Sequence, residues 1–329
     1  MTDYLLLATT SGLSVCGRDG DEWRVLRQGL TGQEVLCVIA REGVILAGTR
    51  AGVWRSDDLG QSWRAASTGL TQRHVRWLAY HPDVSDFEVA GTEPAGIFVS
   101  RDGAATWREC PEVGQLRDQH HWFLPYSPQA GCVRGFAFHG QRAYAAVEVG
   151  GVLRSDDATR TWQLAAGSDG NPDLDGPAAP LIYPDLHDIH VHPASPDWLY
   201  APTGGGFYRS GDGGGQWSLL YDCYCRACWV DPADSEHILL GPADNVEHNG
   251  RIEESHDGGH SWQPAAGGLD VPWTDNMVER FVPDEDNLLA VLSNGELLSA
   301  RRADGGWVWR QMLPEAGRVL CAAVMAGEA

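Results

Sequence analysis

The chain has 329 residues, 43% of them hydrophobic, which is enough for a sizeable core, and its formal net charge at pH 7 is −21. This charge would repel a nucleic-acid backbone or an anionic membrane surface, so we expect neither as a partner. The N-terminal segment MTDYLLLATTSGLSV has no basic region before its short apolar run, and no later stretch approaches the roughly 20 apolar residues of a membrane span. We therefore expect a soluble, cytoplasmic protein, whose oligomeric state the sequence leaves open.

The composition predicts an all-β chain, because forty glycines, eighteen prolines and fourteen tryptophans accompany no long amphipathic helical pattern. In chain order, the segments YLLLAT, GLSVCG and EWRVLR come first and lack a preceding strand. Six further units follow, each opened by an apolar strand, at residues 35–40, 75–80, 133–138, 189–191, 227–230 and 277–281. Every unit continues with a second strand, a short hairpin, a third strand, a turn and a fourth strand.

The turn between the third and fourth strands carries a repeated octapeptide. Five copies occur, which are SDDLGQSW from Ser56, SRDGAATW from Ser100, SDDATRTW from Ser155, SGDGGGQW from Ser210 and SHDGGHSW from Ser255. Serine and aspartate two residues apart bond nearby backbone N–H groups, glycine accepts a positive φ, and tryptophan buries a large surface between units. A spacing of 44 to 55 residues between copies is typical of propeller blades. The octapeptide therefore has a structural role and is not expected to take part in catalysis or binding.

The missing first strand of the N-terminal unit is supplied by the C-terminus, because RVLCAAVMAG from Arg318 matches EVLCVIAREG from Glu34. We predict a single-domain, all-β, seven-bladed β-propeller of four-stranded blades over residues 1–329. Its ring is closed where the C-terminal strand joins the N-terminal blade, which removes an exposed sheet edge.

The octapeptide pattern S-x-D-x-G-x-[ST]-W resembles the Asp box, or BNR repeat. That repeat occurs in sialidases, sortilin-type receptors, photosystem II assembly factors and WD40/YVTN/BNR-like propellers described as glycosyl hydrolases. The resemblance covers the whole chain and implies the propeller fold, but the fold hosts many activities. A sialidase is not expected, because that family has six blades and an RIP motif before its first Asp box, and this chain contains no RIP.

First strands begin, and second-to-third hairpins turn, on the face of a propeller opposite the octapeptides, so we expect the functional site there. Alignment of the first strands places one residue of each blade at this channel mouth, in ring order Leu320, Leu36, Arg76, Arg134, His187, Arg226 and Met277. Three arginines and a histidine on consecutive blades fit a clamp for a carboxylate, phosphate or sulfate. The alternative is that they pair with resident carboxylates and hold the blades together. His74 and Tyr224 lie one layer further out and are further candidates for substrate binding.

Glu93 in GTEPAG and Glu148 in VEVGG lie in the second-to-third hairpins of adjacent blades, on the same face as Arg76 and Arg134. Two such carboxylates suit general acid and base chemistry, or nucleophile and acid, as in glycoside hydrolysis, with His187 as a further catalytic candidate. Equally, each glutamate could form a plain salt bridge with its neighbouring arginine.

Long connections enter blades 4, 5 and 7, over 109–131, 165–186 and 263–276, and are expected to cover the mouth. The first contains QHHW, in which His121 and Trp122 are candidates for contact with the substrate. His121, Asp185 and His187 could also hold a divalent metal, although no cofactor is otherwise expected. The eight cysteines fit reduced thiols, and CYCRAC, at 223–228, lacks the second cysteine pair of a zinc site.

Two functional hypotheses remain open. The first is an enzyme, a hydrolase or lyase, that binds a small anionic, sugar-like substrate in the funnel and uses glutamate as acid or base. The second is a non-catalytic scaffold or ligand-binding propeller. An enzyme predicts a deep solvated funnel with a carboxylate free of arginine, whereas a scaffold predicts a plugged channel.

Overall fold

Each of the seven repeat units folds as a four-stranded antiparallel sheet, and the seven sheets follow one another around a ring. The computed structural model describes residues 3–20, 22–303 and 306–326. Within these ranges no helix is long and apolar enough to cross a membrane. The seven four-stranded sheets confirm the predicted seven-bladed propeller.

The first half of the ring consists of blades 1 to 4. Blade 1 begins with β1 (Tyr4–Thr9), β2 (Gly12–Asp19) and β3 (Glu22–Gly29). Blade 2 contains β4 (Val35–Arg41), β5 (Val44–Thr49), β6 (Gly52–Ser56) and β7 (Arg64–Ala65). Blade 3 contains β8 (Val75–Tyr80), β9 (Glu88–Thr92), β10 (Gly96–Ser100) and β11 (Arg108–Glu109). Blade 4 contains β12 (Cys132–His139), β13 (Arg142–Glu148), β14 (Gly151–Ser155) and β15 (Gln163–Leu164).

The second half of the ring repeats the pattern. Blade 5 contains β16 (His190–Val191), β17 (Leu199–Thr203), β18 (Gly206–Ser210) and β19 (Ser218–Tyr221). Blade 6 contains β20 (Tyr224–Asp231), β21 (Asp234–Ala243), β22 (Glu253–Ser255) and β23 (Gln263–Pro264). Blade 7 contains β24 (Val278–Asp284), β25 (Asn287–Leu292), β26 (Leu297–Ala303) and β27 (Gly306–Met312). After a 3₁₀ turn at Pro314–Ala316, β28 (Val319–Met325) ends the series.

The ring closes as predicted, because β28 pairs antiparallel with β1 and becomes the first strand of blade 1, with Leu6 opposite Ala323. The first strands of adjacent blades contact each other around most of the ring, and β20 of blade 6 contacts β17 of blade 5, so the first strands surround the central channel. Apolar clusters fill the spaces between neighbouring blades. We call the end of the channel where the first strands begin the mouth face, and the opposite end the octapeptide face.

The octapeptide turns are held by side-chain bonds to the backbone. In blade 4, Ser155 Oγ accepts from the N–H of Thr159 at 3.0 Å and donates to Asp157 Oδ1 at 2.9 Å. The closing tryptophans reach the preceding blade, as in Trp107 Nε1, which donates to the carbonyl of Ala66 at 2.8 Å. These hydrogen bonds stabilise the turns and join neighbouring blades, which is the structural role expected of the octapeptide.

The connection over 109–131 contains a helix that the sequence pattern did not predict. Helix α1 (Pro111–His120) begins with proline at its first turn and is capped at its C-terminal end by His121, whose φ of 55° is left-handed. It lies against β10 and β15, between blades 3 and 4. The residues after α1 then pass over the mouth face.

Candidate functional site

The mouth is formed by residues at irregular positions of the innermost strands. In blades 2, 3, 4 and 7 the ladder between the first and second strands shifts register around one residue, at Leu36, Arg76, Arg134 and Glu279 respectively. Such bulges re-aim the side chain of the extra residue. In blade 7 this residue is Glu279, not Met277 as predicted, and Met277 is fully buried. The mouth therefore contains a carboxylate at a position where an apolar side chain was expected.

Arg76 is paired with Glu93. Its Nη1 lies 3.1 Å from Glu93 Oε2, and the glutamate side chain is 5% exposed. The other oxygen, Oε1, accepts from Ser127 Oγ at 2.7 Å, and His74 Nδ1 lies 3.7 Å from Oε2. Burial lowers the pKa of His74, an effect that the charge of Glu93 opposes. Glu93 is therefore held by Arg76 and His74 at Oε2 and by the Ser127 hydroxyl at Oε1.

Glu148 is the most constrained carboxylate of the mouth. Its Oε2 accepts from Tyr126 at 2.7 Å, from Cys132 Sγ at 3.1 Å and from Arg134 Nη1 at 3.3 Å. Burial raises the pKa of this carboxyl, but Arg134, His187 and the hydrogen bonds outweigh burial and lower the pKa to about 2. Glu148 is thus ionised at neutral pH, whereas a general acid needs a raised pKa.

Glu279 joins two arginines from different blades. Arg226 Nη1 donates to its Oε1, and Arg134 Nη2 lies 3.7 Å from its Oε2. Burial raises the pKa of Glu279, but attraction from Arg226 and Arg134 is stronger and lowers it. Arg134 belongs to blade 4 and Glu279 to blade 7, so this ion pair crosses the channel.

A hydrogen-bonded chain continues from Arg226 into blade 5. Arg226 Nε donates to the hydroxyl of Tyr224 at 3.1 Å, which lies 3.3 Å from His187 Nε2. The other ring nitrogen, Nδ1, bonds the carbonyl of Cys225 at 2.7 Å and must carry the proton, because a carbonyl only accepts. In the neutral imidazole Nε2 then accepts from Tyr224. Burial raises the pKa of Tyr224 to about 12, with Arg226 opposing the effect, so the phenol stays protonated.

A second contact crosses the channel close to this network. Arg280 of blade 7 places its guanidinium carbon 3.8 Å from the ring centroid of Trp77 in blade 3. Its Nη1 lies 2.8 Å from Cys321 Sγ in blade 1. Neither Arg280 nor Trp77 was a predicted site residue. Together with Arg134 and Glu279, they connect opposite sides of the channel.

Two predicted substrate-binding residues lie elsewhere. Trp122 is buried, packs against Gly150 and donates from Nε1 to the carbonyl of Gly170 at 2.9 Å. It therefore fixes the connection over 109–131 to the protein and does not face the mouth. His121 is exposed at the end of α1 and is not part of the His and acid cluster that contains His187. The side chains that do reach the mouth from this connection are Tyr126 and Ser127.

The possible metal ligands at the mouth also differ from the predicted set. The ligand atoms of Glu148, Asp185 and His187 lie within 4.8 Å of one another, so Glu148 replaces His121. Two carboxylates and an imidazole suit a divalent cation. Asp185 Oδ2 is 3.4 Å from His187 Nε2. In this structure the donors of Arg134, Tyr126 and Tyr224 already contact Glu148 and His187.

Solved propellers resemble this structure. An ancestral GH74 enzyme superposes with a TM-score of 0.65 and 18% identity, over 89% of this chain and 40% of its own length. YCF48 from Cyanidioschyzon merolae gives 0.56 and 13%, over 95% and 97%. The WD40 repeats of RRP9 give 0.57 and 12%, over 88% and 83%. No protein-family model matches the chain, and no curated protein sequence does.

These similarities show the fold alone, because all the identities are low. The chain also spans less than half of the GH74 enzyme. The structural neighbours include a glycoside hydrolase as well as WD40 propellers, so the function has to be argued from the mouth itself.

Proposed function

We propose that the protein is a non-catalytic propeller scaffold that binds a basic partner on its mouth face. The observation that carries the proposal is the pair of contacts across the channel, Arg134 with Glu279 and Arg280 with Trp77. A substrate funnel has to admit a ligand between the blades, whereas these side chains tie opposite blades together. The proposal therefore assigns binding to the outer surface of the mouth face.

The charges of the mouth support the same conclusion. Each arginine that was expected to clamp an anion contacts a carboxylate, as Arg76 does with Glu93, Arg134 with Glu148, and Arg226 with Glu279. A bound anion would have to displace a carboxylate from its arginine partner and leave that carboxylate poorly compensated, which is costly in a buried site. The mouth is thus poorly suited to a small anion.

The surrounding connections are acidic. The name acidic rim is used here for the exposed carboxylates of the mouth-face connections of blades 5 to 7. They are Asp169, Asp173, Asp175, Asp222, Asp244, Glu247, Asp270, Asp275 and Glu296. Arg251, at the end of the blade 6 hairpin, is itself paired with Asp244 and Glu253. A rim of one sign attracts a partner of the opposite sign and speeds its association.

The test is a titration of a labelled oligolysine peptide, followed by fluorescence anisotropy at low and at physiological salt. The variant Asp173→Asn/Asp175→Asn/Asp270→Asn removes three rim charges and should weaken binding about tenfold at low salt. The matched control, Asp83→Asn/Glu285→Gln/Asp286→Asn, removes three charges from the octapeptide face and should bind like the wild type. Equal losses in both variants would refute a site on the mouth face.

One observation favours a second candidate, an enzyme acting on a small anionic, sugar-like substrate. Among the described residues, the basic group nearest Asp185 is His187 rather than an arginine, with Oδ2 3.4 Å from Nε2, and the Asp185 side chain is 17% exposed. A carboxylate and imidazole in contact can transfer a proton. Hydrolysis of a panel of acidic aryl glycosides that disappears in Asp185→Asn, with the fold intact, would support the enzyme over the scaffold.

A further inference from the structure

Two histidines face each other on the octapeptide end of blade 6, far along the strands from the mouth. The ladder between β21 and β22 pairs Ile238 with Ser255, so one step further His237 lies opposite His256. Their rings are stacked, with centroids 4.4 Å apart and an angle of 13° between the planes. Stacked imidazoles offer little attraction of their own, so neighbouring groups have to hold the two rings in place.

Glu254 lies on the same side of the sheet, two residues before His256, and approaches both rings. Its Oε2 is 3.4 Å from His256 Nε2 and 3.5 Å from His237 Nε2. Bonds of about 2.0–2.1 Å from zinc to nitrogen and oxygen separate two ligand atoms of a tetrahedral site by about 3.3 Å. The two observed distances are therefore close to the edges of a tetrahedral site.

The outer contacts orient these ligands. His237 Nδ1 lies 3.3 Å from Asp231 Oδ2, and Gln263 Nε2 donates to Glu254 Oε1 at 3.1 Å. A carboxylate behind a metal-binding histidine fixes the ring and leaves the other nitrogen with its lone pair. In blade 6 that other nitrogen is the one that faces Glu254.

Among the described residues, none forms a hydrogen bond with His237 Nε2, although the residue is 1% exposed. A buried ring nitrogen without a partner is unusual and needs an explanation. With the Nδ1 proton directed to Asp231, the Nε2 lone pair of a neutral ring faces a carboxylate oxygen, and these two acceptors repel unless a proton or a metal ion lies between them.

The same positions in blade 4 are filled differently. There Arg142, Arg154 and Asp156 stand where blade 6 has His237, Glu254 and His256, and both arginines form ion pairs with Asp156. Blade 4 thus completes the site with two cationic side chains around one carboxylate. Blade 6 keeps one carboxylate but surrounds it with metal-ligating side chains instead.

We infer that His237, Glu254 and His256 form a binding site for a divalent transition metal, and that zinc suits the donor set best. His256 is 47% exposed, so the fourth position of the site opens to solvent. Binding links β21 to β22 beside the octapeptide of blade 6. The site is independent of the scaffold function proposed for the mouth.

The experiment is equilibrium dialysis of metal-free protein against zinc, with bound metal measured per chain, and a parallel thermal-denaturation series. Wild type should bind one equivalent of zinc, and His256→Ala and Glu254→Gln should bind zinc at least tenfold more weakly. Zinc should raise the Tm of wild type and leave the Tm of both variants unchanged. His260→Ala removes another exposed histidine of the same octapeptide and should behave like the wild type. Cobalt should give the visible absorption of a tetrahedral site in wild type.

His256→Ala decides the matter even if Glu254→Gln fails to fold, because its side chain is exposed. Zinc binding that is unchanged in His256→Ala would place the metal elsewhere, such as at Glu148, Asp185 and His187, and would overturn the inference. A wild-type protein that binds no zinc would overturn it as well.

Discussion

The guanidinium of Arg280 in blade 7 lies over the indole ring of Trp77 in blade 3, at 3.8 Å from its centroid. These blades are separated by two others, so the contact spans the channel. Arg134 and Glu279 make a second bridge between opposite blades. The channel is consequently held by side chains across it, and not only by the packing of neighbouring blades.

Arg280→Met should lower the free energy of unfolding by about 1 kcal/mol, because it keeps much of the apolar bulk and removes a half-buried cation–π contact. Urea denaturation measures the change. Arg50→Met, at an arginine whose side chain is 61% exposed, is the control and should stay within about 0.5 kcal/mol of the wild type. Equal effects of the two substitutions would show that the contact across the channel contributes nothing.

Stability should depend on pH through Glu148. Its pKa in the folded protein is about 2 and its ordinary value is 4.5. A carboxyl with a depressed folded pKa contributes fully above about pH 4.5 and loses the contribution as the pH falls toward 2, a change of about 3 kcal/mol. Unfolding free energies measured across this range should fall steeply for wild type and less steeply for Glu148→Gln. Parallel curves would contradict the assignment.

The fold was predictable because its signals are local and repeated. Five octapeptides mark the same turn in five blades, and the match between the segments from Arg318 and Glu34 identifies the closing strand. Glu279 was missed because the alignment of the first strands set blade 7 two residues out of register and placed Met277 at the mouth. The segment VERF at 278–281 matches VRGF at 133–136 in blade 4, and this match gives the correct register. That match aligns Glu279 with Arg134 and would have placed the glutamate at the mouth.

The contacts of the mouth were not predictable in the same way. The pairing of Arg280 with Trp77 depends on the width of the channel and the reach of long side chains, which no local pattern encodes. Tyr126 and Ser127 lie in a connection without periodicity, so their path over Glu148 and Glu93 follows only from the folded structure. The pairing of arginines with glutamates was one of the two alternatives that the sequence left open.

Ser155→Ala should destabilise the protein without altering the mouth. The substitution leaves the N–H of Thr159, a fully buried residue, without its bond to the serine oxygen, at a cost of about 1–3 kcal/mol. Ser218→Ala, at an exposed serine, should stay within about 0.5 kcal/mol of the wild type. Oligolysine affinity should be the same in all three proteins. A loss of affinity in Ser155→Ala at unchanged stability would argue that the octapeptides belong to the binding site.

The most direct measurement for the central claim is calorimetric titration of inorganic phosphate into wild type, Glu93→Gln and Arg134→Met. Because Arg76, Arg134 and Arg226 are occupied by carboxylates, the wild type should give no saturable heat. Glu93→Gln removes the charge that Arg76 faces and should gain weak phosphate binding. Saturable one-to-one binding to the wild type that Arg134→Met abolishes would contradict the account and restore the mouth as an anion site.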